Sequence, residues 1–141
     1  MVGLAADGWG MSEQTVISYL TVDGARAALD FYAAAFEATH HGPIYEDDDG
    51  RIGHAHFAIG STEFYISDEH PELGVVAPTR VGGSTAAFCI NVGDVDAAYE
   101  RALAHGGVGD RPPADQLDFR SAWLRDPFGH RWGLMGPPLE G

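Results

Sequence analysis

Leu20-Thr21-Val22-Asp23-Gly24, followed by Ala27-Ala28, recurs in the second half of the chain as Ile90-Asn91-Val92-Gly93-Asp94, followed by Ala97-Ala98. Each copy moves from a β-branched, apolar run to an Asp/Gly break and then to alanine. That order reads as strand, cap and helix. Upstream, Val16–Val22 (VISYLTV) extends the first strand. Downstream, Ala25–Ala38 (ARAALDFYAAAFEA) predicts a helix with Leu29, Tyr32 and Phe36 on one face and Asp23 as N-cap. In the second copy Thr85–Val92 predicts a strand. Asp94 caps a helix over Val95–His105, which Gly106-Gly107 closes.

The segments that follow each helix also correspond. A short strand or turn through Ile44-Tyr45 leads to the acidic tip Glu46–Gly50, whose Asp-Gly step signals a hairpin. Ile52–Ile59 then alternates as a strand, and Thr62–Ser67 forms the next. In the second half, Gly109–Pro113 begins a strand or loop and Phe119–Arg125 is a strand. Asp126-Pro127-Phe128-Gly129 turns the chain into Arg131–Met135. The expectation is an α+β fold of two βαβββ modules. They form a concave mixed sheet with the helices on its convex face. The expected divisions are an arm at 1–13, modules at 14–68 and 84–137, a linker at 69–83 and a tail at 138–141. The arm lacks a basic stretch and does not read as a signal peptide.

Composition narrows the function. The chain has 141 residues and a formal charge of -13, and its 8 basic residues are all arginine. Phosphate-backbone binding and docking on anionic membranes are disfavoured. With no lysine there is neither a lysine Schiff base nor a P-loop. The single cysteine, Cys89, excludes an intramolecular disulfide, suits a cytoplasmic location and reads as a small buried hydrophobe. No apolar run reaches the roughly 20 residues of a membrane span, and no Gly-X-Ser-X-Gly elbow supports a hydrolase triad.

Three segments carry a family resemblance. They are Leu20-Thr-Val-Asp with Ala28-Leu-Asp-Phe-Tyr32, then Val92-Gly-Asp-Val-Asp-Ala-Ala-Tyr-Glu100, then Asp126-Pro-Phe-Gly-His-Arg-Trp-Gly-Leu134. In this order they resemble the vicinal oxygen chelate superfamily of glyoxalases, extradiol dioxygenases and bleomycin-resistance-type binding proteins. The closing segment resembles a metal-lacking glyoxalase-like branch. The resemblance implies a homodimer. It also implies four metal-ligand positions, which fall here on Ile17, Tyr65, Thr85 and Gly133. None supplies a histidine or carboxylate, and a one-residue slip to Ser18, Phe64, Ala86 or Trp132 does no better. The expected cofactor is therefore none, with a divalent metal as the alternative.

Alternation along the strands assigns the faces. Ala55, Phe57, Ile59, Phe64 and Ile66 turn toward the helix, leaving His54, His56, Glu63 and Tyr65 in the concavity. The expected ligand-binding set is Tyr19, His54, His56, Tyr65, Thr85, Asn91 and Trp123, an aromatic cavity with few polar groups that suits a small organic molecule. His54, His56 and Glu63 are the candidate catalytic groups. As imidazoles and a carboxylate they can contact a ligand, work as general acid and base, or hold a relocated metal together with a donor such as His40. They can equally be ordinary structural pairs. The first reading is a metal-independent protein that binds a small aromatic or amphiphilic molecule. The second is a lyase, isomerase or dioxygenase-like enzyme, and the third is a module for protein association.

Overall fold

The computed structural model describes residues 14–139. The expected arm at 1–13 and the last two residues of the tail lie outside them. The first module runs β1 (Ser18–Val22), α1 (Ala25–Phe36), β2 (Thr39–His40), β3 (Tyr45–Glu46), β4 (Ile52–Ile59) and β5 (Thr62–Asp68). The second runs β6 (Ala87–Asn91), α3 (Val95–Ala104), β7 (Val108–Asp115), β8 (Arg120–Arg125) and β9 (Arg131–Gly136). Between them the expected linker carries a 3-10 turn at Pro71–Leu73 and the short helix α2 at Pro78–Val81.

The fold is the expected α+β pair of βαβββ modules. In each, the first strand pairs in parallel with the last, and the remaining strands pair antiparallel, in the orders β1-β5-β4-β2 and β6-β9-β8-β7. The short β3 adds to β4. In β7 the register shifts between Arg111 and Ala114. Pro112 and Pro113 lie there, and proline has no N–H to give a ladder, which confines it to edge strands and bulges such as this.

Each module forms its own sheet, with no ladder between the two among the described residues; the modules meet through α1 and α3 and through Phe64 packed against Phe88 and Trp132. One core fills the space between the helix-bearing faces. Phe31, Tyr32 and Phe36 of α1, Phe57 and Phe64 of the first sheet, and Leu124, Trp132 and Leu134 of the second are all buried in it. Among the described residues the faces opposite this core are left open.

Three local expectations are corrected. Asp23 does not cap α1. Gly24 takes that position at φ 110, and the Asp68 carboxylate of β5 accepts the Gly24 and Ala25 N–H groups at 2.9 and 2.7 Å. A cap can come from a neighbouring strand wherever the fold brings a carboxylate to the free N–H groups. The first strand begins at Ser18 rather than Val16, and the sixth at Ala87 rather than Thr85. Cys89 is exposed rather than buried. It lies on an edge strand, on the face turned away from Phe88 and Ile90, and none of the described residues covers it. Asp94 caps α3 as expected, accepting from the Ala97 N–H at 3.1 Å.

Candidate functional site

The open face of the first sheet gathers Tyr19, His54, His56 and Tyr65. Register does this. Tyr19 lies opposite Tyr65 across β1 and β5, and Tyr65 lies opposite His56 across β5 and β4. His54, two residues before His56, shares its face. Ring centroids are 5.5 Å apart for Tyr19–Tyr65, 4.6 Å for His56–Tyr65, 4.9 Å for His54–Tyr65 and 4.7 Å for His54–His56. Tyr45 of β3 approaches His54 from the side.

Hydrogen bonds string these groups together. The Tyr19 hydroxyl lies 2.7 Å from His54 Nδ1 and donates to the Gly53 carbonyl at 3.2 Å. His54 Nε2 meets His56 Nε2 at 2.8 Å. Burial, and then the repulsion of a charged His56, lowers the His54 pKa, which favours a neutral imidazole. Burial, and then Tyr65, raises the Tyr19 hydroxyl, which stays protonated. Glu63 stands at the far end. Its Oε2 is 2.6 Å from His41 Nε2 and 3.9 Å from His56 Nδ1.

Of the candidate catalytic groups, His54 meets His56, and His56 faces Glu63. His40 does not join them; its neighbour His41 does. His41 lies between two short strands and so carries no alternation signal in the sequence.

The second-module residues stand apart. Trp123 lies on the open face of β8, with the Arg131 guanidinium 5.1 Å from its ring centroid. Thr85 is exposed ahead of β6. Asn91 borders a cleft of about 760 Å³ along β6, floored by Phe64, Phe88 and Trp132. A second cleft of about 500 Å³ opens beside Tyr19, against Thr21, Gly53, Ser67, His70 and Val75. His70 and Val75 come from the segment expected to be a linker, where sequence showed only turn residues.

The metal positions implied by the resemblance do not fit an ion. Ile17, Tyr65, Thr85 and Gly133 offer no imidazole or carboxylate. A Cβ at Gly133 would come within 2.8 Å of the Trp123 ring, so the indole occupies the space a ligand side chain would need.

A βαβββ unit closed by a parallel pair, and repeated, is the architecture of paired-module glyoxalase-like proteins. The comparisons agree. The Glyoxalase/Bleomycin resistance protein/Dioxygenase superfamily model matches residues 14–134, and the chain belongs to this superfamily. An uncharacterized protein of Mycobacterium bovis is 35% identical over 132 residues, covering 91% of this chain and 86% of its own. A glyoxalase-related enzyme from Fulvimarina pelagi shares the fold at TM-score 0.69 and 21% identity, covering 91% of each chain. Fosfomycin resistance protein FosX of Listeria monocytogenes, solved with Mn(II) and 1S,2S-dihydroxypropylphosphonic acid, superposes at TM-score 0.65 and 19% identity. That match covers 92% of this chain and 94% of FosX. Among the described residues no helix is long and apolar enough to cross a membrane.

Proposed function

We propose that the protein binds a small aromatic or amphiphilic molecule against the Tyr19–Tyr65–His54–His56 wall, without an ion at the superfamily's four positions. The observation that carries this reading is the wall itself. Four rings share one partly open face, beside a cleft of about 500 Å³. Aromatic faces with a few fixed polar groups are what an organic ligand needs. The acidic balance favours a neutral or cationic ligand and disfavours nucleic acid and membranes, and the single cysteine suits a cytoplasmic location.

The reading includes a homodimer. Thr85, Asn91 and Trp123 lie on the second module, away from the wall, while β1 and β6 each end a sheet as an edge strand. Free edges invite pairing. A second copy that sets its second sheet against the first sheet of its partner covers both edges and closes the cavity.

The test is a thermal-shift screen of small aromatic compounds, because a ligand that binds only the folded state raises Tm. Light scattering on the same samples measures the mass. A saturable shift lost in Tyr65→Ala, on a particle of twice the chain mass, supports the reading. A monomer with no response to any compound overturns it.

A second reading, a lyase or isomerase using general acid–base chemistry, rests on the hydrogen-bonded run Tyr19–His54–His56, which can relay a proton between the exposed Tyr19 hydroxyl and the half-buried His56 imidazole. Turnover of the hit compounds that disappears in His54→Gln would favour it over simple binding.

A further inference from the structure

The hydrogen bonds of the wall run from Tyr19 through His54 to His56 and end facing Glu63. The Tyr19 hydroxyl has one proton, and when the Gly53 carbonyl at 3.2 Å takes it, the oxygen accepts from His54 Nδ1 at 2.7 Å. In that arrangement His54 Nε2 accepts from His56 Nε2–H at 2.8 Å. The His56 Nδ1 is then the free nitrogen. That nitrogen looks at Glu63 Oε2 across 3.9 Å, too far for a hydrogen bond.

Glu63 Oε2 is buried and has no hydrogen-bond partner, although His41 Nε2 lies 2.6 Å away. The approach has the distance but not the alignment of a hydrogen bond. A buried carboxylate oxygen left this way calls for an explanation. The segment after β2, the strand β4 and the start of β5 each send one donor to the same point. All three ligand atoms lie within 4.8 Å of one another.

We propose that His41, His56 and Glu63 bind one divalent transition-metal ion at the edge of the first sheet. Two imidazole nitrogens and a carboxylate oxygen, with a side open to water, form a donor set that zinc and its neighbours in the first row accept. None of the three is a position that the family resemblance assigns to metal. His54 is the positioning residue. By taking the Nε2 proton of His56 it fixes the tautomer that presents Nδ1, as outer-shell partners of metal-bound histidines do. The inference goes beyond the ligand-binding reading and does not depend on it: the two share His54 and His56, but the ion needs neither Tyr19 nor Tyr65 as a ligand.

The experiment uses metal alone. Full-length protein stripped with a chelator is titrated with Zn²⁺ by calorimetry and with Co²⁺ by visible absorption, whose intensity reports a four- or five-coordinate site. One equivalent is expected to bind. Glu63→Gln and His41→Ala are each expected to weaken binding tenfold or more with the circular-dichroism spectrum unchanged. His40→Ala is expected to bind as the parent does. His54→Gln is expected to lose about 10- to 100-fold in affinity. Absence of stoichiometric binding overturns the proposal, as does affinity retained in Glu63→Gln or lost equally in His40→Ala. None of these outcomes touches the ligand screen, which is run without metal.

Discussion

The Tyr32 hydroxyl of the first module donates to the Asp126 carboxylate of the second across 2.5 Å, inside the shared core. Asp126 sits in the turn between β8 and β9 and also accepts from Trp132 Nε1 and from the Phe128 and His130 N–H groups. Asp126 thus caps its own turn, and the same carboxylate ties the modules together. Burial, and then the Asp126 charge, keeps the Tyr32 hydroxyl protonated well above its ordinary range. Tyr32→Phe leaves a buried carboxylate short of one donor. A loss of about 1–3 kcal/mol is expected, read from urea unfolding.

Asp68, rather than Asp23, holds the start of α1, and it also accepts the Ile52 N–H at 2.8 Å. Asp68→Ala is expected to cost about 2 kcal/mol or more, at the upper end for a helix cap. Asp23→Ala is expected to cost less than about 0.5 kcal/mol, as an exposed surface change does. Thermal melts of the two variants decide between the caps.

Gly133 faces Trp123 so closely that any side chain must displace the indole. Gly133→Ala is expected to destabilise by about 1–3 kcal/mol through overpacking. Tryptophan fluorescence is expected to shift as the Trp123 ring moves off Arg131. A stable variant with an unchanged spectrum would show that this face has room for a ligand side chain.

Two histidines titrate in opposite directions. His70 donates to Asp47 at 2.7 Å, and this bond raises its pKa above the ordinary 6.5. Its contribution is full below pH 6.5 and is lost as pH rises through the higher folded value. His54 is lowered, mainly by burial. The unfolded chain then binds a proton that the folded chain refuses, so stability falls as pH drops below 6.5. Imidazole NMR titration is expected to place His70 above and His54 below that value. Substituting His54 by Gln should reduce the loss of Tm in acid, and substituting His70 by Asn should remove the gain.

Much of this was legible because it is local. Ile52–Ile59 alternates, and its faces came out as read, with Ala55 and Phe57 buried and His54 and His56 on the open side. Asp94 lies next to the N–H groups it caps, so its role is written in adjacent residues. The repeat at Leu20–Gly24 and Ile90–Asp94 set the two-module plan, because a βαβββ unit needs only its own strands and helix to pair and pack.

The family resemblance implies that Ile17, Tyr65, Thr85 and Gly133 stand where metal donors would. What the sequence by itself determined is the pair of modules and the inward and outward faces of their strands. Those features depend on residue type and on a period of two. Only the tertiary structure decided that the modules join through α1 and α3, that Asp68 caps a distant helix, and that His41 meets His56 and Glu63. Such meetings depend on where separate segments cross in space, and neither spacing nor periodicity along one segment carries that information.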